Sequence, residues 1–172
     1  MYCYNECMTP AIRPRERSKV PSEQLADAVL TASRVLVAVA ARSLAEHESE
    51  VSLAQYRALV VLGSRGPQRP ADLALALGVD PSTATRMCDR LVRKRLITRR
   101  RDVVDRRTVL LDLSASGRRL VDRVTDQRRR EIGRILKSVD PGEHEALVRA
   151  FDAFGAAAGE IPEDGWQRSW EL

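Results

Sequence analysis

Aromatic side chains make up only 4% of this 172-residue sequence. Modules that grip single strands or RNA loops stack bases on aromatic rings, so that mode of action is disfavoured. The three cysteines, Cys3, Cys7 and Cys88, are odd in number and widely placed, which is no disulfide framework. Cys3 and Cys7 stand four apart with no histidine near them, a weak pattern for a metal or redox pair. The two histidines, His47 and His144, sit in separate segments beside Glu46, Glu48, Glu143 and Glu145. Helical histidines in such company read as surface residues, so no metal site is expected. Acid–base chemistry also has few players, and G-x-S-x-G, H-x-x-x-H, C-x-x-C and phosphate-cradling glycine loops are all missing. GSRG at 63–66 reads as a turn between helices. The longest uncharged apolar run, Val35–Ala41, is far shorter than the roughly 20 residues of a bilayer span. No apolar core follows the first charges, as a secretory signal would require. These absences predict a cytoplasmic protein that is neither an enzyme nor a membrane protein and uses no cofactor.

What is present is charge, and it is unevenly placed. From Arg86 to Arg107 the chain carries ten Arg or Lys against Asp89, Asp102 and Asp105, a net of +7. The whole chain is +5, so the remaining 150 residues sum to −2. A short, concentrated basic segment is the footprint of a phosphate-binding surface. The 44% hydrophobic content is enough for an ordinary core, and the length suits one domain, or one domain with a helical extension.

The basic segment falls inside an ordered pattern. RPADLALALGV reads as a short helix opened by Pro70 and closed by Gly78, with Ala74 small at a helix crossing. Asp80 as N-cap and Pro81 as first helical residue start the next helix. There Ala84, Met87, Cys88 and Leu91 fall at i, i+3, i+4 and i+7, an apolar stripe facing inward. Ser82, Thr83, Thr85, Arg86, Asp89, Arg90 and Arg93 lie off the stripe and face water. Two helices around a tight glycine turn make a helix-turn-helix. After Leu96, ITRRR and RTVLLDL flank DVVDR, and Val109, Leu111 and Leu113 alternate with Thr108, Leu110 and Asp112. That is a β-hairpin, so the expected unit is a winged helix-turn-helix.

The remaining segments read as helices. Residues 1–20 show no sustained period and form an expected mobile tail with a basic stretch from Arg13 to Lys19. Ser22 opens a long helix to about Glu48, with a stripe of Leu25, Ala28, Val29, Ala32, Leu36 and Val39 and a middle apolar nearly all round. Such a helix must be covered on every side, most simply by a second subunit. A further helix begins near Ser52, with Leu53, Tyr56, Leu59 and Leu62 at spacing three; Tyr56 either packs in the core or lines a pocket beside the dimer part. Ser114 caps a helix to about Ser138, in which Arg128 to Arg130 read as solvated. Asp140, Pro141 and Glu143 resemble a capping box before a last helix with Leu147, Ala150, Phe151, Phe154 and Ala157. Trp166 and Trp170 end the chain, four apart, either folded back or facing a partner.

This order of helices, hairpin and helices resembles the MarR (multiple antibiotic resistance regulator) family over about residues 22–158. The resemblance rests on L53-x2-Y56-x2-L59, on ADLALALGVDPSTATRMCDRLVRKRLITR, on D102-x2-DRR107 and on LDLSASG. It implies a mainly α fold with a small β-hairpin wing and a helical dimerisation platform. It also implies a homodimeric repressor or activator of double-stranded DNA whose affinity changes when a small, often phenolic, molecule binds between platform and winged domain. Ser82, Thr83, Thr85, Arg86 and Arg90 match the helix that enters the major groove, and Arg106 and Arg107 match the wing, with Asp105 holding one of them. Arg99, Arg100 and Arg101 would serve phosphates. Some family members sense oxidants through cysteine; Cys88 lies on the buried stripe and reads as a small hydrophobe.

The expected layout is a tail at 1–20, a platform from 21–50 and 114–158, a winged domain at 51–113 and a second tail at 159–172. A pseudo-palindromic operator would follow from twofold symmetry. The competing reading is a winged helix that binds protein without specific DNA binding; the concentration of positive charge argues against it.

Overall fold

The computed structural model describes residues 21–45 and 51–163. The readings placed on Cys3, Cys7, Arg13 to Lys19, His47, Trp166 and Trp170 lie outside the described residues. The chain divides into two compact units, residues 1–35 and 36–172. In the first, the described part is helical from Ser22 onward. In the second, that helix continues and the remaining elements follow. In order they are α1 (Ser22–Ala45), α2 (Leu53–Arg65), α3 (Pro70–Leu77), α4 (Pro81–Arg93), β1 (Ile97–Arg101), β2 (Val109–Leu113), α5 (Ala115–Leu136) and α6 (His144–Ala157), with a 3-10 turn at Pro141–Glu143 before α6.

Each start has a local cause. Ser52 caps α2 by accepting from the Gln55 amide, while the Gln55 side chain accepts from the Ser52 amide, a full capping box. Ser114 caps α5 by accepting from the Gly117 amide at 3.0 Å. Asp140 accepts from the Gly142 amide at 2.9 Å, which closes the 3-10 turn rather than a full box. Asp80 stands at the N-cap position of α4 but makes no side-chain cap bond; Pro81 presets the backbone. At the end of α3, Gly78 adopts the left-handed conformation (φ 63°), and the amides of Gly78 and Val79 reach back to Leu75 and Ala74. This is the motif that spends a glycine to satisfy two orphan carbonyls.

The core lies under α2, α3, α4, the hairpin and the first half of α5. Leu59, Leu73, Leu91, Leu111 and Leu120 are wholly buried there. Each contributes about 1.5–3 kcal/mol through apolar burial. Leu53 is the exception at spacing three: at 51% exposed it lies on the first turn of α2, outside the core. The hairpin pairs antiparallel with Ile97 opposite Leu113 and Arg99 opposite Leu111. Gln68 adds a third, one-residue rung by exchanging backbone hydrogen bonds with Leu111 at 3.0 and 2.8 Å. The GSRGPQ segment is thus both a helix stop and a sheet edge.

α1 and α6 are apolar yet exposed. Val35, Leu36 and Val37 in α1 and Val148, Phe151 and Phe154 in α6 all face outward, and α6 buries no side chain. With a mean hydropathy of 1.5 over its best window, α1 is by length and composition apolar enough to cross a membrane, its apolar halves lying on either side of Arg34; an apolar helix covered by protein has the same composition.

Candidate nucleic-acid interface

α4 is amphipathic in the way its sequence requires. Ala84, Cys88 and Leu91 are buried and Met87 is half-buried, while Ser82, Thr85, Arg86 and Arg90 are exposed and Thr83 is half-exposed. Thr85 donates its hydroxyl hydrogen back to the Pro81 carbonyl at 2.8 Å, and Arg86 donates to the Thr83 hydroxyl at 3.4 Å. All ten basic side chains between Arg86 and Arg107 are exposed, none being consumed by the core.

The hairpin is fastened to this helix by charge. Arg99, projecting from the same face of the sheet as Leu111, pairs with Asp89 on α4. Arg100 reaches Asp112 on the opposite strand at 3.4 Å. Both arginines therefore have protein partners. Such half-exposed pairs are individually weak, contributing up to about 1 kcal/mol.

At the wing tip, Asp105 holds Arg107 by its backbone and not by its guanidinium. No ion pair joins it to Arg106 or Arg107; its carboxylate accepts from the Arg107 amide at 3.0 Å and from the Thr108 hydroxyl at 2.8 Å. Those bonds, Thr108 first, hold its carboxyl below the usual aspartate range, with a smaller pull from Arg69. Asp102 likewise accepts from the Val104 amide at 2.8 Å. Each aspartate thus folds the turn that carries the following residues, so the tip is shaped by backbone hydrogen bonds.

The end of α4 is a second built feature. Arg95 takes the left-handed conformation (φ 58°), where a glycine would be expected, and the amides of Arg95 and Leu96 return to Val92 and Leu91. The Arg95 carbonyl accepts from the Ser114 hydroxyl at 2.6 Å, and the Leu96 carbonyl from the Ser114 amide at 3.1 Å. A Cβ on Gly117 would stand 2.1 Å from the Leu96 oxygen, so only glycine fits where α5 crosses this corner.

Cys88 is buried, and burial pushes its thiol above its ordinary range despite the opposing charge of Arg99. A protonated thiol is a poor nucleophile, which favours packing over sensing. His144 is exposed at the start of α6, and no group of three metal-ligating side chains exists among the described residues.

Core packing and cleft lining do not exclude each other at Tyr56. It is 4% exposed, in the core of α2, yet it also lines a cleft of about 480 Å³ between α2, α5 and the segment after α6. Its hydroxyl lies 3.3 Å from that of Thr125. Burial raises the phenol above its usual range, against the opposing pull of Thr125 and Arg128. Val60, Ile132 and Leu136 supply apolar walls. Thr125, Arg128 and Glu160 were not singled out in the sequence as parts of this cleft, because they come from elements far apart in the chain.

A short helix-turn-helix joined to a basic hairpin, with the second helix exposing hydroxyls and guanidiniums, defines the class of winged-helix DNA-binding transcription regulators. The comparisons give the family. The MarR family model matches residues 51–109. The HTH-type regulator Mb0904 of Mycobacterium bovis is 32% identical over 114 residues, covering 66% of this chain and 80% of its own. The HTH-type transcriptional repressor NicR of Pseudomonas putida is 29% identical over 59% of this chain and 64% of its own. The crystal structure of RV1404 from Mycobacterium tuberculosis superposes with a TM-score of 0.76 at 43% identity, covering 85% of this chain and 99% of that one. The chain belongs to the MarR family of transcriptional regulators.

Proposed function

We propose that two copies of this chain form a cytoplasmic, non-enzymatic repressor that binds a pseudo-palindromic operator in double-stranded DNA. The observation that carries the reading is the division of α4, with Ala84, Cys88 and Leu91 inside and Ser82, Thr85, Arg86 and Arg90 outside. Arg86 and Arg90 read base edges in the major groove, with Ser82, Thr83 and Thr85 beside them. Arg106 and Arg107, presented by the turn that Asp105 folds, meet the minor groove and its walls. Arg99, Arg100 and Arg101 serve the backbone; the pairing of Arg99 with Asp89 and of Arg100 with Asp112 makes Arg101 the main phosphate contact of the three.

The exposed apolar residues of α1 and of α6 supply the subunit contact, since isolated apolar faces of this size need cover. The winged domain then spans 51–113, and the platform 21–50 and 114–158. The name of NicR supports repression, because blocking transcription is that relative's printed role. A small aromatic effector fits the Tyr56 cleft, whose apolar walls end at hydroxyls and guanidiniums.

Footprinting of genomic sites bound by the purified protein, followed by titration of one site at several salt concentrations, tests the proposal. Protection of two half-sites about 10 bp apart and a steep salt dependence are expected. Binding to acidic proteins but not to duplexes would establish the competing protein-interaction reading instead.

A further inference from the structure

The segment after α6 is built into the effector cleft by charge. Gly159, left-handed at φ 71°, turns the chain so that the amides of Gly159 and Glu160 return to Ala156 and Gly155. Arg65 then donates to the Gly159 carbonyl at 3.2 Å. Glu160 faces Arg57 of α2 through both carboxylate oxygens, a bidentate ion pair. Ile161 and Glu163 continue along the cleft wall. α6 buries nothing of its own within the subunit, yet its end is fastened to the helix that opens the winged domain.

The charges in the cleft explain the fastening. Arg57, Arg128 and Arg129 line it, and Arg129 is already paired with Asp126 at 3.2 Å. Glu160 and Glu163 offset the other two, so the cleft is close to neutral with the segment in place and about +2 without Glu160 and Glu163. The buried Nε of Arg128 has no hydrogen-bond acceptor. An unsatisfied donor on a guanidinium beside apolar walls favours an anion with an apolar body.

We infer that residues 159–163 are a strap whose Glu160 carboxylate competes, for the Arg57 guanidinium, with any anion that enters the cleft. This rests on the reading of the cleft as the effector site. An incoming carboxylate that pairs with Arg57 and Arg128 releases Glu160, and with it the tie between α6 and α2. Because the strap and the ligand draw on the same cations, each weakens the other's hold by the same factor. Neutralising Glu160 without shortening it removes the competitor and keeps the apolar wall at Ile161.

Benzoate, one carboxylate on one apolar ring, is the probe. Isothermal titration into the full chain and into the E160Q, E160D and R128Q variants, each checked for an unchanged melting midpoint, reads the competition. E160Q is expected to bind benzoate roughly three- to tenfold more tightly than the parent. E160D restores the parent value, and R128Q binds more weakly than the parent. If R128Q is weakened but E160Q equals or falls below the parent, the strap is overturned and the cleft stands as an anion site. If R128Q matches the parent, or no variant binds, the cleft reading is overturned and the strap with it.

Discussion

Arg86 and Arg101 separate two kinds of contact that look alike in sequence. Arg86 stands on the outer face of α4 against the Thr83 hydroxyl, where a planar fork can address a guanine edge. Arg86→Ala is expected to cost about 1–3 kcal/mol on the operator and to relax preference at one position, read by competition with single-base operator variants. Arg101→Ala should weaken all duplexes alike and reduce the salt slope by about one. Arg100→Ala should change that slope less, because Asp112 already neutralises Arg100 in the free protein. Cys88 was legible as a core residue, since its place on the stripe fixed its burial. Its raised thiol predicts that peroxide at neutral pH releases the parent protein from DNA no faster than Cys88→Ser; selective release of the parent would contradict that. The ion-pair partners of Arg99 and Arg100 could not be read in advance, because they depend on hairpin register and on how the hairpin leans against α4.

Among the elements, the helix-turn-helix and hairpin were legible because each is written in local chemistry: Pro70, Gly78 and Pro81 mark the boundaries, and Leu111 and Leu113 keep the strand period. The start of α2 near Ser52 came from apolar spacing alone, and its capping box with Gln55 is seen only in the structure. What local pattern could not show was Gly117, whose need for close approach arises only when α5 crosses the end of α4. Gly117→Ala is expected to destabilise the fold by about 1–3 kcal/mol, measured by urea denaturation. Gly133→Ala, in the same helix with nothing within 4 Å of the added Cβ, is expected to stabilise by roughly 0.5–1 kcal/mol. The wing tip carries a pH signature of its own. The Asp105 carboxyl is lowered in the folded turn, so its contribution is fully present above the ordinary aspartate range and is lost as pH falls through the lowered value. Amide exchange at Arg107 and Thr108 should therefore stay protected at mildly acidic pH and loosen only below it, and loosening near neutrality would contradict the assignment.

On the scale of the whole molecule, the proposed dimer rests on the exposed apolar faces of α1 and α6. Phe154→Asp is expected to shift the protein from dimer to monomer in sedimentation and to lower operator affinity sharply while leaving the winged domain folded. Their apolar character was plain in the sequence, but that α6 would bury nothing within one subunit was not, since periodicity shows a face without showing what meets it. The corner where Ser114 and Gly117 close on Arg95 and Leu96 has a mechanical outcome. With 22 residues, α5 is about 33 Å long and is riveted at one end to the base of the recognition helix. It is a lever: a tilt of one degree at that rivet sweeps its far tip by about 0.6 Å. In the proposed symmetric pair, small rearrangements near the far tips would thus alter the separation of the two α4 helices, because each corner is held by the Ser114 bonds and the close approach at Gly117.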